Sequence, residues 1–364
     1  MRQLIIASLF TVCVSAPLLA QPVSGSPSIP LTPAAIANGV ENRITYEFGI
    51  EFVTIGAPGN APLVTTGRAN GRGSVNEEYR IGRFEITTAQ WVQFMNAAYG
   101  RPSSQAIPHL LPPSGAFWGG QPDPTYTGPG QRWRVTPGQE NRPVGNISWR
   151  MAAIYCNWLH NNQSTDRSAF LNGAYDVSTF GYVQGSIFTD QPTHNPGARF
   201  FIPTWDQWLK AAHYDPNRNG NGQGGWWQQP NASDTTLVYG PPSNPLAQAN
   251  AAFNQSTTGV NPFSILLGAY PQTQSPWGLL DVAGGTFEWT EEIYSEFGDP
   301  LRRFFDGSAW TAPGVIDLVS QMGSDFPSIS QGLFGFRIAA AIPSPSGVLM
   351  GVVVCGWGLS RRRR

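Results

Sequence analysis

The stretch W-G-L-L-D-V-A-G-G-T-F-E-W-T-E-E-I-Y, residues 277–294, decides how the rest of the chain is read. Apolar Leu279, Leu280, Val282, Phe287 and Trp289 are interleaved with two carboxylates, Asp281 and Glu288, around Gly284 and Gly285. Paired glycines let the backbone turn sharply and bring its carbonyl oxygens close to a neighbour. Two arrangements suit that pattern. Asp281 and Glu288 can close an all-oxygen shell around a hard cation such as calcium, with main-chain carbonyls as further ligands. Alternatively the segment is a tight turn between core strands, and the carboxylates cap or pair.

Outward from this stretch, composition sets bounds. The 364 residues suffice for one large or two small domains. Charged residues make up 12%, while 41 glycines and 32 prolines point to much turn and loop. Thirteen Trp and twenty Phe predict a packed core rather than a disordered chain. A net charge of −1 offers no electrostatic basis for nucleic-acid binding.

The two ends read as addresses. Arg2, an apolar run over 4–14 and small residues up to Ala20 make residues 1–20 a secretory signal peptide. Residues 21–43, rich in Pro, Ser and Ala, are expected to form a flexible lead-in. No charge appears between Arg337 and Arg361, and the chain closes on four arginines. The apolar run 347–359 is short of the ~20 residues that span a bilayer. Counted from Ile338 the uncharged stretch is long enough, with the arginines kept cytoplasmic. Residues 341–364 are therefore read as a C-terminal sorting and transmembrane tail. The protein is expected to be exported and held at the cell envelope, at least transiently. Cys13 lies in the signal and Cys355 in the tail, so Cys156 stands alone and no internal disulfide forms.

Between the ends, 44–55 and 79–86 carry the β-branched and aromatic residues of strands. Thr87 or Thr88 caps a predicted helix with Trp91, Phe94, Met95 and Ala98 on one face. Ser148 caps a second helix running to His160, with Trp149, Ala152, Ala153, Cys156 and Leu159 inward. Thr204-Trp205-Asp206-Gln207 is a capping box for a third, whose apolar stripe is Trp205, Trp208, Leu209 and Ala212. Residues 217–229 form a glycine-rich loop bearing Trp226 and Trp227, which suit sugar stacking or burial in the core. No strand precedes that loop and no helix follows it, which excludes a phosphate loop. The sum is an irregular, loop-rich α+β domain with few helices.

The stretch at 277–294 resembles the signature of the formylglycine-generating-enzyme, or sulfatase-modifying-factor, family. Other fragments match in the same order: Y-R-I-G-R-F-E-I-T at 79–87, Arg142-Pro143-Val144 with Ser148-Trp149, and Ile202-Pro203-Thr204 with Trp208 and Ala211-Ala212. Asp306-Gly307-Ser308-Ala309-Trp310 and Gly335-Phe336-Arg337 follow. The resemblance spans 44–340 and implies the family's variant of the C-type-lectin-like fold. Its formylglycine-generating members bind copper through two cysteines placed between the counterparts of Asp306 and Arg337, because soft thiolates select Cu(I). That window holds no cysteine here, so no copper and no catalytic residue is expected. Relatives in ergothioneine synthesis hold iron through histidines of an additional helical domain. His109, His160, His194 and His213 lack metal-ligand spacing, and His160 and His213 each end a predicted helix.

Calcium is the cofactor the resemblance implies, as a structural ion at two sites. One falls on Asp281, the Gly284 and Thr286 carbonyls, and Glu288; the other on Asn250, the Ala251 carbonyl, Asn261 and the Phe263 carbonyl. The family carries Asn at position 285, and restoring it is expected to be neutral or stabilising. Pro343-Ser344-Pro345, the apolar run and the arginines resemble a Pro-Glu-Pro sorting signal, with Ser344 in place of Glu; a sorting protease is the implied partner. The preferred reading is a non-catalytic, calcium-stabilised module that binds a surface polysaccharide or protein. The competing readings are a divergent family oxidoreductase, of formylglycine-generating or non-haem iron type with other ligands, and a structural matrix protein.

Overall fold

The computed structural model describes residues 29–183, 187–294, 301–311 and 314–343; the expected signal peptide and the expected tail from 344 onward lie outside these. Strand β1 (Ile44–Glu47) turns back into β2 (Ile50–Ile55). The single strand expected over 44–55 is thus a hairpin. Phe48 and Gly49 both take positive φ, 51° and 75°, as a two-residue hairpin turn requires. Alternation runs through both arms, so the pattern alone hid the turn.

Strand β3 (Tyr79–Gly82) pairs antiparallel with β2 and also with Ala339–Ala340 near the other end of the chain. Phe200–Phe201 completes this five-stranded antiparallel sheet. A second sheet of four strands is built on β4 (Phe287–Tyr294) and β5 (Arg302–Asp306). There Glu288 faces Asp306 across an antiparallel pair and Gly335 across a short parallel one.

Three helices pack against the sheets, and each starts where local chemistry dictates. In α1 (Thr88–Tyr99) the Thr87 hydroxyl accepts from Gln90 N while the Gln90 side chain accepts from Thr87 N. Ser148 caps α2 (Trp149–His160), and Thr204 with Gln207 caps α3 (Trp205–His213). The faces expected to be inward are buried: Trp91, Phe94, Met95 and Ala98 on α1, and Trp205, Trp208, Leu209 and Ala212 on α3. Aromatic burial of this kind supplies roughly 4–6 kcal/mol of transfer free energy per large ring. One core gathers α1 and α2 around Trp149, Trp289 and Phe336. The other gathers α3, Trp277 and Leu279.

The lead-in differs from expectation. Residues 29–43 are packed against the domain rather than flexible: Pro33–Ala37 is helical, and Ala35 and Val40 are fully buried. They press on Gly278, where an added Cβ would meet Leu31 at 3.0 Å and Val40 at 3.2 Å. Ile29, Leu31, Ala35 and Val40 carry enough apolar surface to dock, a pattern that the Pro/Ser/Ala composition masked. Among the described residues no helix is long and apolar enough to cross a membrane.

Candidate functional site

The 277–294 stretch makes a turn that four hydrogen bonds to three other segments pin in place. Gly284 and Gly285 have φ of +87° and +75°, and Asp281 also lies in the left-handed region at 52°. A Cβ on Gly284 would lie 2.6 Å from Asn250 N, so no larger residue fits. Gly285 N donates to Asn250 O (3.1 Å), and Gly284 N donates to Ser308 Oγ (2.8 Å). Trp310 N donates to Gly285 O (3.0 Å), and Thr286 N donates to Glu85 Oε1 (2.9 Å).

Beneath the turn lies the guanidinium of Arg337, fully buried with Glu288. Its Nε and Nη2 donate to the two Glu288 oxygens at 2.5 Å each, a bidentate fork. Trp208 Nε1 adds a third donor to Glu288 at 2.8 Å. The remaining N–H groups reach Gly82 O (3.0 Å), Arg83 O (3.3 Å), Leu280 O (3.1 Å) and Asp281 O (3.3 Å). One side chain therefore ties together the ends of three sequence fragments: 79–87, 277–294 and 335–337.

This geometry tests the two oxygen sets proposed for calcium. Asp281 Oδ2 accepts from Gly268 N (2.7 Å), and burial pushes its carboxyl up to about 6. Glu288 has both oxygens on Arg337, so it offers no free anionic oxygen, and the guanidinium already supplies the positive charge. The set Asp281, Gly284, Thr286 and Glu288 does not fit an ion through Glu288. The other set fits better. Asn250 is buried, its Nδ2 donates to Pro262 O (3.0 Å), and its Oδ1 has no partner. That bond draws Asn250 and Ala251 to Asn261 and Phe263, where the Asn261 side chain accepts from Phe263 N (3.1 Å). Among the described residues no three His, Cys, Asp or Glu side chains gather as a metal cluster.

The other candidates have local explanations. Cys156 is buried on α2, and desolvation raises its thiol well above the ordinary range, which makes it a poor nucleophile. His160 and His213 end α2 and α3 as predicted; burial lowers His213 to about 3. Trp226 is buried against Gly73, and Arg218 covers Trp227 at 4.4 Å. His194, which spacing did not single out, donates from its backbone N to Glu291 Oε1 (2.5 Å) and places Nδ1 3.0 Å from both Glu291 oxygens. Tyr175 Oη donates to the same buried carboxylate at 2.8 Å. No sequence signal marks this cluster, because its members lie on three separate segments.

Fold and site together define a loop-rich α+β domain whose double-glycine turn is locked over a buried Arg–Glu pair, with no cysteine in the 306–337 window. Residues 52–342 match the model of the sulfatase-modifying factor enzyme 1-like domain, and the chain belongs to that family. It is 26% identical over 251 residues to "Inactive C-alpha-formylglycine-generating enzyme 2" of Bos taurus, covering 67% of this chain and 63% of that protein. The Mus musculus protein of the same name is 24% identical over 236 residues, covering 63% of this chain and 56% of its own length. The chain thus spans about three-fifths of the length of these relatives. Among solved structures, CarF has a TM-score of 0.49 at 20% identity, covering 81% of this chain and 99% of its own. PvdO from Pseudomonas aeruginosa has a TM-score of 0.45 at 13% identity, covering 82% of this chain and 96% of its own.

Proposed function

We propose that this is an exported, non-catalytic member of the sulfatase-modifying-factor family. It is a calcium-stabilised module at the cell envelope that binds a surface polysaccharide or protein. The observation that carries the reading is the 306–337 window, which holds neither cysteine nor histidine. Copper–thiolate chemistry by the family's route has no ligands there. The word "inactive" in the names of both relatives supports it. The apolar, arginine-terminated tail is the proposed anchor, and a sorting protease its proposed partner. Structural calcium is placed first at Asn250, Ala251, Asn261 and Phe263, because the Asn250 carboxamide oxygen is buried without a donor.

Two measurements test this. Metal analysis of protein purified without chelator is expected to find calcium and neither copper nor iron. Mass spectrometry of a sulfatase-type cysteine peptide is expected to show no formylglycine, with or without added copper. Turnover that persists in Cys156→Ser would overturn the non-catalytic reading.

A further inference from the structure

A pit of about 200 Å³ opens at the C-terminal end of α1, remote in sequence from the glycine turn. Ala98, Ile107 and Leu110 line it and are buried, which gives it an apolar floor. Its walls are pinned by the protein itself. Tyr99 Oη donates to Leu110 O (2.8 Å), and Gln131 N donates to Tyr99 O (3.1 Å). Gly130, at φ +78°, has no room for a Cβ against Tyr99 O. Arg101 lines the same pit and is 9% exposed. Its Nε donates to Ala98 O (2.6 Å), and its Nη2 donates to Ala97 O (2.9 Å) and Thr165 O (2.8 Å). These bonds close the end of the helix, and every acceptor is a neutral carbonyl. Among the described residues no carboxylate pairs with this guanidinium, and its Nη1 is left open without a partner. Arg167 adds a second cation at the mouth, where its Nη2 donates to Ala106 O (3.4 Å). Burial first, then the like charge of Arg167, lower the pKa of Arg101, and Asp166 opposes them less. Asp166 is itself held by Ser164 Oγ (3.2 Å).

We propose that this pit binds a small free organic acid, with its apolar body on Ala98, Ile107 and Leu110 and its carboxylate on Arg101. The site is separate from the calcium reading and does not rest on it. A buried charge is ordinarily paired, because taking it from water costs free energy that neutral carbonyls return only in part. Arg101 has the carbonyls and lacks the anion. Its planar, permanently charged fork suits a carboxylate, and the bond is charge-assisted. Ser103, at the mouth, has a hydroxyl that makes no bond within the described protein and can donate to the second carboxylate oxygen. The floor selects against inorganic anions, which would give up hydration to apolar side chains. Size sets the body: an apolar cavity of about 150 Å³ takes a benzene ring. The 200 Å³ here therefore suits a ring or short branched chain bearing one carboxylate, of which benzoate is the simplest probe.

The test titrates the full chain with 4-fluorobenzoate, followed by 19F NMR, and competes it with unlabelled benzoate, benzamide and N-acetylphenylalanine. Wild type is expected to bind benzoate saturably and benzamide, its neutral counterpart, at least tenfold more weakly. Arg101→Gln is expected to weaken benzoate tenfold or more and to leave benzamide unchanged, which a merely structural role of Arg101 would not produce. Arg101→Lys keeps the charge and loses the fork, and is expected to bind between the two. Should Arg101→Gln fail to fold, Ala106→Trp fills the exposed mouth without touching the helix end and is expected to abolish binding of both probes. A chain terminus carries the same carboxylate on a larger body, so N-acetylphenylalanine is expected to bind more weakly than benzoate; tighter binding overturns the free acid in favour of a polypeptide C-terminus. Equal affinity for benzoate and benzamide, wild-type affinity in Arg101→Gln or in Ala106→Trp, or no binding by wild type overturns the assignment.

Discussion

Replacing Arg337 by Met asks how much one side chain holds. Arg337 and Glu288 are each 0% exposed, so the change leaves a buried carboxylate with Trp208 Nε1 as its remaining side-chain donor. Breaking a buried pair by removing one partner costs about 3–5 kcal/mol. Four carbonyls, of Gly82, Arg83, Leu280 and Asp281, lose their guanidinium donor as well, which places the cost at the upper end. Set against a total stability of about 5–15 kcal/mol, that is a large fraction. At about 2–4 °C per kcal/mol for domains somewhat smaller than this one, Tm falls by roughly 10 °C or more. Thermal melts followed by circular dichroism measure it. Arg337→Lys retains the charge but not the fork, and is expected between wild type and Arg337→Met. Arg337→Met combined with Glu288→Gln removes the orphaned charge and should recover part of the loss, a coupling that a double-mutant cycle reads directly. Should Arg337→Met melt within a degree or two of wild type, or the double variant gain nothing, the buried pair is not what locks the turn.

The glycines give a graded outcome. Gly284→Ala meets Asn250 backbone at 2.6–2.8 Å and should cost more than the roughly 1–2 kcal/mol of a left-handed residue alone. Gly285→Asn, expected from the family pattern to be neutral or stabilising, is instead expected to destabilise by about 1 kcal/mol, because its Cβ crowds the Glu85 carboxylate at 2.9 Å; urea melts rank the two variants. Deleting residues 343–364 is expected to release the domain from the membrane fraction, and retention there would contradict the proposed anchor. Burial pushes the Asp317 carboxyl up to about 7, so its folded form holds a proton that the unfolded chain releases at lower pH. Stability should therefore fall as pH rises from the ordinary carboxylate range to about 7, with a limiting slope of about 1.4 kcal/mol per pH unit. Asp317→Asn should flatten that slope in melts recorded across pH, and an unchanged slope would assign it to other groups.

What was legible in the chain follows from how far apart the partners lie. Capping boxes at Thr87–Gln90 and Thr204–Gln207 are contacts three residues apart, so type and spacing placed the start of α3 and left that of α1 open only between Thr87 and Thr88. The hairpin at Phe48-Gly49 was illegible because one arm's alternation passes in phase into the next. The role of Arg337 was beyond local reading for a different reason: its guanidinium joins Gly82, 255 residues away, to Glu288, 49 away. From 277–294 alone, Glu288 could serve a metal or an arginine, since both reward a carboxylate beside a glycine turn. What separates the two is burial. A fully enclosed Glu288 with a fork on both oxygens needs no ion. The ordered fragments that identify the family are therefore not independent marks. Three of them are ends of one buried polar network, and a substitution in any one is felt by the other two.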